Sequence, residues 1–321
     1  MKSFQGRIAV VTGGGTGMGR ELVRQLAAEG CHVAMCDVQE EPMARSRELA
    51  REGAPDGTRI SGFLADVSVE ADMLAFQRHV AEEHRTDHVH LLFNNAGIGG
   101  AGSFVLDGRE EWEKTFGVCW YGVYYGCRAF LPMLLAAPEG HVVNTSSVNG
   151  FWASLGPTTA HTSYSAAKFA VKGFTEALVN DFRNNAPHLK ASVVMPGHIG
   201  TSIIINSGRI LGRDPKEMPD AEIEEARERL AHMGFEVEGV TNDQIRQALV
   251  MRGEQFRDQA PMSAEDAARV ILDGVREERW RILIGDDAVA LDELVREDPE
   301  EAYEPSFMEK LLARTDWQLG S

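Results

Sequence analysis

The chain has 321 residues, 43% hydrophobic and 25% charged, and its 32 basic and 49 acidic side chains give a formal charge of −17. That balance excludes nucleic acid or an anionic membrane surface as the main partner, and leaves an ordinary soluble globular protein built as one large α/β domain or two small ones. Cys31, Cys36, Cys119 and Cys127 lack the paired spacing of a zinc site, and a chain this large needs no disulfides, so reduced thiols in a cytoplasm are the expectation.

From the N-terminus the chain enters a strand pattern directly, without an apolar region suited to export, and no apolar run approaches the ~18 residues of a membrane span. Arg7 to Thr12 reads as a strand that runs into Gly13-Gly-Gly15-Thr16-Gly17-Met18-Gly19. A helix follows at once, with Leu22, Val23, Leu26 and Ala27 on one face and Gly30 as its stop. Strand, glycine turn and helix in that order make a dinucleotide phosphate site: backbone amides face the anion, and glycines let it approach the main chain. The next strand, Cys31 to Cys36, ends in Asp37, placed to accept hydrogen bonds from adenosine ribose hydroxyls and to repel a 2′-phosphate. With no cation at Thr16 or Val38, this favours NAD over NADP.

Glu41 to Glu52 reads as helix and Gly57 to Leu64 as strand; Asp66-Val67 and a helix through Met73, Phe76, Val80 and His84 follow. His79, His84, His88 and His90 read as a solvated helix end, with no metal-ligand spacing. Val89 to Phe93 leads into Asn94-Asn95-Ala96-Gly97, at a strand end where open α/β sheets bind ligands. A long helical stretch spans Glu110 to Leu135, and the strand His141 to Asn144 delivers Thr145-Ser146-Ser147. The loop after it carries Phe151 and Trp152, where a substrate would enter. Tyr164 and Lys168 then stand one turn apart on an apolar-faced helix. A cation beside a phenol favours the phenolate, bringing a group that titrates near 10 closer to the useful range for general acid/base work. The strand Ala191 to Met195 ends in Pro196-Gly197-His198-Ile199-Gly-Thr201. Alternating strands and helices imply a doubly wound parallel sheet with these strand-end motifs along one edge.

Taken together, Thr12-Gly13-x3-Gly17-x-Gly19, Asp37, Asp66-Val67, Asn94-Asn-Ala-Gly97, Ser147, Tyr164-x3-Lys168 and Pro196-Gly-x3-Thr201 resemble the short-chain dehydrogenase/reductase family. The likeness spans residues 5–201 and resumes near 262–285. It implies a Rossmann-type fold with the dinucleotide in the glycine turn, including Gly15, Thr16 and Met18, and Asp37 on the adenine ribose. Asp66 and Val67 would lie near adenine, and Asn95, Ala96 and Gly97 along the cofactor. Pro196, Gly197, Ile199 and Thr201 would hold the nicotinamide side. It also implies that Ser147 polarises the substrate oxygen, Tyr164 transfers its proton, and Lys168 binds the nicotinamide ribose and tunes the tyrosine. Two features depart from the family. Cys119 stands where an asparagine normally supports a water relay to the lysine, and the interval from Ser147 to Tyr164 is several residues longer than usual.

These readings divide the chain into a catalytic domain, residues 1–285, and an acidic C-terminal extension, residues 286–321. Within the first, residues 202–260 form an enlarged substrate lid, with helices at Ala221 to Met233 and Asn242 to Phe256. Ser263 to Glu277 is a capped helix and Arg281 to Ile284 a strand. Ile203, with the two isoleucines after it, would cover an apolar substrate near the nicotinamide; His198 is a further substrate candidate. The extension ends in Phe307, Met308, Leu311, Leu312 and Trp317, an apolar set that would dock on the body or on a partner subunit.

The expected activity is NAD-dependent oxidation of a bulky apolar or aromatic secondary alcohol, steroid-like or aryl, or reduction of the matching ketone. A non-catalytic NAD-binding sensor or scaffold, and an epimerase or dehydratase of the same family, are the alternatives. A homodimer or homotetramer would pair through helices near 110–135 and 162–184, carrying Tyr121, Tyr124, Tyr125, Phe130, Phe169 and Phe174.

Overall fold

Each strand of the central sheet is apolar on both faces, as burial between two helical layers requires. The computed structural model, which describes residues 1–100, 102–156, 160–232, 235–317 and 319, shows where those faces go. In chain order the first half contains β1 (Ile8–Thr12), α1 (Gly17–Ala28), β2 (His32–Asp37), α2 (Glu40–Gly53), β3 (Ile60–Leu64), α3 (Glu70–His84) and β4 (Leu91–Asn94). There follow α4 (Arg109–Phe116), a π-helical turn (Gly117–Tyr121), α5 (Gly122–Ala136), β5 (Gly140–Thr145), a 3₁₀ turn (Val148–Gly150), α6 (Thr162–Asn185) and β6 (Leu189–Pro196). The sheet has seven strands; β1 to β6 are joined by β9 (Arg281–Ile284) in the order β3-β2-β1-β4-β5-β6-β9, every neighbouring pair parallel.

The pleat sends alternate residues into two cores. Ala9, Val11, Val33, Met35, Leu91 and Phe93 pack with Leu22 and Leu26 of α1 on one side. Ile8, Val10, Ala34, Cys36 and Leu92 pack with Phe76 of α3 and Phe130 and Leu134 of α5 on the other. Burying each such Leu or Phe contributes about 1.5–3 kcal/mol, so the two cores fix the strands and with them the positions of the loops at their C-terminal ends.

Between β6 and β9 lie β7 (Ile199–Gly200), α7 (Ile203–Ile210), α8 (Asp220–His232), α9 (Asn242–Asp258), β8 (Met262–Ser263) and α10 (Ala264–Arg276), the segment expected to form a lid. β7 and β8 form a separate two-stranded parallel pair, Ile199 opposite Met262, that joins the two ends of this segment. Thr241 and Gln244 make a reciprocal capping box at the start of α9, and Ser263 Oγ accepts from the Asp266 N–H at the start of α10, as its sequence suggests. Met233, where the first lid helix is expected to end, lies outside the described residues.

The chain closes with α11 (Asp286–Glu297), a 3₁₀ turn (Glu301–Tyr303) and α12 (Pro305–Arg314). Leu291, Leu294, Phe307, Leu311 and Trp317 form a third core with Val148 and Trp152. The extension therefore docks on this chain's own body, over the loop that follows Ser147.

Three expectations change. The helical stretch over 110–135 is interrupted by the π-helical turn. His84 and His90 are buried rather than solvated. His84 Nε2 is 2.9 Å from Ser61 Oγ, and His90 Nδ1 accepts from the Ile8 N–H at 3.1 Å, so each serves the sheet. Phe130 lies in the core beside Phe76, while Tyr121, Tyr124 and Phe169 stay exposed.

Candidate active site

At the C-terminal end of β1 the glycine turn is dense enough to exclude side chains. Gly13 and Gly17 have φ of +66° and +54°, the left-handed region that glycine enters without steric cost. A Cβ at Gly19 would strike the Gly13 carbonyl oxygen, and one at Gly15 would come within 2.7 Å of Asp37 Oδ2. Arg20, which the sequence reading passed over, donates from Nε and Nη2 to the Gly15 carbonyl at 3.1 and 2.7 Å and also holds Ser46 Oγ. No side chain caps the N-terminus of α1, and no acidic residue occupies its first turn. Those free amides and the helix dipole suit a pyrophosphate.

Asp37 Oδ2 accepts from the Gly15 N–H at 2.9 Å and Oδ1 from the Gln39 N–H at 3.0 Å. Burial raises its carboxyl above the usual range, while those backbone bonds and the nearby Arg20 act against the rise. Asp66 Oδ1 accepts from Ser68 N and Oγ at 2.9 and 2.6 Å. Thr12 Oγ1 gathers the N–H groups of Asn95 and Ala96, both at 3.0 Å, and Asn95 Nδ2 donates to the Thr12 carbonyl at 3.1 Å. Asn95 thus braces the glycine turn. Gly13, Gly17, Met18, Asp37, Asp66, Val67, Asn95, Ala96, Gly97 and Thr201 all border one cleft of about 390 Å³. An uncapped helix N-terminus, a side-chain-free turn and a carboxylate at the far end together fit a dinucleotide.

α7 lies across this cleft. Asn206 Nδ2 donates to Thr16 Oγ1 at 3.0 Å, and Ser207 Oγ accepts from the Gly99 N–H at 2.8 Å. Neither tie is visible in sequence, since the contacts span about 190 and 108 positions.

At the other end, β5 carries Ser147 and α6 carries Tyr164 and Lys168. Lys168 is 2% exposed; its Nζ donates to the Thr145 carbonyl at 2.8 Å and lies 5.3 Å from the centre of the Tyr164 ring. Ser146 Oγ donates to the Lys168 carbonyl at 2.7 Å, tying helix to strand. Ser147 Oγ accepts from the Asn149 N–H at 3.2 Å. Burial pushes the Tyr164 phenol above its ordinary value, the Cys119 thiol adds to the rise, and a hydrogen bond with Ser147 opposes it. Burial also lowers the Lys168 ammonium. The phenolate-favouring effect expected from the lysine is thus outweighed by loss of water around both groups. The π-helical turn brings Cys119 to this point, where its Sγ donates to the Ile98 carbonyl at 3.2 Å.

A profile of the short chain dehydrogenase family matches residues 7–209. The chain belongs to the short-chain dehydrogenase/reductase family. A Mycobacterium tuberculosis protein named as the oxidoreductase SadH is 32% identical over 296 residues, 92% of each chain. Levodione reductase of Leifsonia aquatica is 33% identical over 217 residues, 66% of this chain and 76% of the relative. A crystal structure of a short chain dehydrogenase/reductase from Burkholderia phymatum in complex with NAD superposes with a TM-score of 0.74 at 30% identity, over 95% of this chain and 98% of the other. The protein is an oxidoreductase of this family, and the seven-stranded sheet is the family's Rossmann-like fold.

In this short-chain dehydrogenase/reductase the substrate side differs from expectation. A cavity of about 1190 Å³ opens under the lid, bordered by Leu106, Leu155, His161, Ile204, Ile205 and Leu249 among others. Trp152 is not part of it: 2% exposed, its indole packs at a tilt on Phe307 and edge-on against Trp317, and Nε1 donates to the Ala302 carbonyl at 2.6 Å. Phe151 packs against the same third core, its ring 5.9 Å from the Arg281 guanidinium. His198 is buried as a brace: its N–H donates to Asp287 Oδ2 at 2.7 Å, Nε2 lies 2.8 Å from the Phe256 carbonyl, and its ring stacks on Phe256. Ile203 borders the dinucleotide cleft, leaving Ile204 and Ile205 to the large cavity. The Ile199 side chain is in the core, and Asp287 fills the space a Cβ at Gly197 would need. Pro157, Thr158 and Thr159 of the long loop before Tyr164 lie outside the described residues.

Proposed function

We propose that this enzyme uses NAD to interconvert a bulky, apolar or aromatic secondary alcohol and its ketone. The observation that carries the reading is the meeting of Ser147, Tyr164 and buried Lys168 at the sheet edge, beside the cleft that ends at Asp37. When bound, the dinucleotide supplies the hydride acceptor or donor. Gly13 to Gly19 and the first turn of α1 hold its pyrophosphate, Asp37 its adenosine ribose, and Asp66 and Val67 flank the adenine. Lys168 gives one of its three donors to Thr145, leaving the others for ribose hydroxyls. Ser147 orients the reacting oxygen, and Tyr164 Oη gives or takes the proton on it.

Because burial keeps the phenol protonated through the neutral range, Tyr164 stands ready as the acid for ketone reduction. Ketone reduction is then expected to stay level from about pH 6 to 9, while alcohol oxidation, which needs the phenolate, climbs with pH. The size of the lid cavity and the apolar side chains on part of its border, Ile204 and Ile205 among them, support a bulky substrate, as does the likeness to levodione reductase. Residues 1–285 act as the catalytic unit with 202–260 as its lid, and the extension serves as a brace. Exposed Tyr121, Tyr124 and Phe169 support a homodimer or homotetramer, and we place the protein in the cytoplasm.

The test is NADH formation by purified protein across grouped secondary alcohols. Tight NADH binding without turnover on any alcohol or ketone would favour a sensor, and product without accumulating NADH an epimerase or dehydratase. Asp37 is expected to favour NAD over NADP at least ~100-fold in kcat/KM, about 3 kcal/mol; equal values would overturn that role.

A further inference from the structure

The wall between the lid cavity and Tyr164 is a histidine that nothing so far has used. His161 borders the large cavity, and its ring lies over the Tyr164 ring at 4.7 Å between centres and 23° between planes. Its backbone is pinned at the start of α6: the His161 carbonyl accepts from Ser165 N–H at 3.0 Å, and Thr162 N–H donates to the Gly102 carbonyl at 2.9 Å. These bonds fix the backbone from which the imidazole reaches over the phenol.

One edge of the ring is closed. Nδ1 is shut away from solvent with no hydrogen-bond partner among the described residues. A neutral imidazole has one donor and one acceptor nitrogen, and with no acceptor beside Nδ1 among the described residues we assign the proton to Nε2. Burial holds the ring neutral, its pKa lowered to about 4, so the cavity sees a neutral donor and not a cation.

We propose that His161 is a specificity-determining residue whose Nε2–H donates to a second, uncharged oxygen on the substrate, one or two carbons from the reacting carbon. The proposal deepens the alcohol/ketone reading and rests on it. The stack sets the imidazole within contact distance of the phenol at the border of the cavity. A ligand whose reacting oxygen meets Tyr164 therefore brings an oxygen on a neighbouring carbon to His161. An α-hydroxyketone, a diketone or a diol fits; a simple ketone leaves the Nε2–H unmatched.

The experiment compares 2-hydroxycyclohexanone with cyclohexanone as NADH oxidants, using the full chain, His161→Phe and His161→Gln. Phenylalanine keeps the stack and removes the donor; glutamine restores an N–H. The ratio of kcat/KM for the hydroxyketone over the plain ketone should fall about tenfold in His161→Phe, as for one lost hydrogen bond, and recover in His161→Gln. An unchanged ratio would overturn the proposal. A second readout does not need turnover: ¹⁵N-labelled imidazole resonances in the complex with NADH. 2-Hydroxycyclohexanone should move the His161 Nε2 signal and cyclohexanone should not; no movement overturns the role of His161. If neither ketone is reduced yet the signal moves, the oxidoreduction reading fails and the contact stands.

Discussion

The two ends of the active cleft are built by opposite means. At the nucleotide end the glycine turn works by having no side chains: Cβ atoms at Gly15 and Gly19 would collide with Asp37 and with the Gly13 carbonyl. At the serine end the loop after β5 is held by some of the largest side chains in the protein, Trp152 against Phe307 and Trp317. The first device includes a contact as short as the 22 positions from Gly15 to Asp37, with Asn95 bracing it from 83 away; the second reaches across 150, from Trp152 to Ala302. The difference teaches that, on the proposed function, affinity for the dinucleotide and geometry for chemistry should be separable, because different forces maintain the two ends.

The sharpest test of that separation is Tyr164→Phe. Turnover should fall by about 10³-fold, the scale of a lost proton-transfer group, while NADH affinity measured by fluorescence stays within about twofold. A large loss of affinity would mean the two ends are coupled. Next in size is Trp152→Ala, which opens a cavity in the third core. It should cost about 3–5 kcal/mol in denaturant unfolding and lower kcat more than it weakens NADH binding. Smaller, and opposite in kind, is Gly15→Ala. Its added methyl must displace the Asp37 carboxylate 2.7 Å away, so the NADH Kd should rise about tenfold with the melting temperature little changed. An equal effect on kcat at saturating NADH would count against the comparison.

The smallest effect is the response to acid. Burial lowers His84 and His90 to about 4 and His141 to about 3. A depressed pKa means the folded state refuses protons that the unfolded chain takes up. Stability is therefore full above the unfolded value near 6.5 and falls as pH drops toward 4. Melting followed by calorimetry should show a midpoint several degrees lower at about pH 5 than at pH 7, in a single transition. A separate early transition from the C-terminal extension would show that it is not integral to the body.

What could be read in advance follows the same division. The apolar periodicity of residues 7–201 specifies each strand and helix within a few positions, and the strand-end motifs gather on one edge because parallel strands all point the same way. Leu22, Val23, Leu26 and Ala27 are buried together, as their spacing requires. Trp152 misleads because an aromatic residue near a catalytic loop looks alike whether it faces a ligand or a distant helix. His198 misleads for the same reason: its partners Asp287 and Phe256 lie 89 and 58 positions away. The π-helical turn that positions Cys119 has no local signature at all. His161 is visible in the sequence only as a neighbour of Tyr164; a spacing of three does not say that its ring stacks on the phenol.

The docking of the C-terminal extension on the serine loop has a consequence for synthesis. Residues 8–196 can assemble six of the seven strands as they leave the ribosome, since each new strand meets one already made. The edge strand, Asp287 under Gly197, and the indole clamp on Trp152 all come from residues beyond 280. The serine loop therefore reaches its final packing only once residues 281–317 have been made, and a nascent chain stalled before β9 carries its glycine turn beside a serine loop that still lacks its clamp.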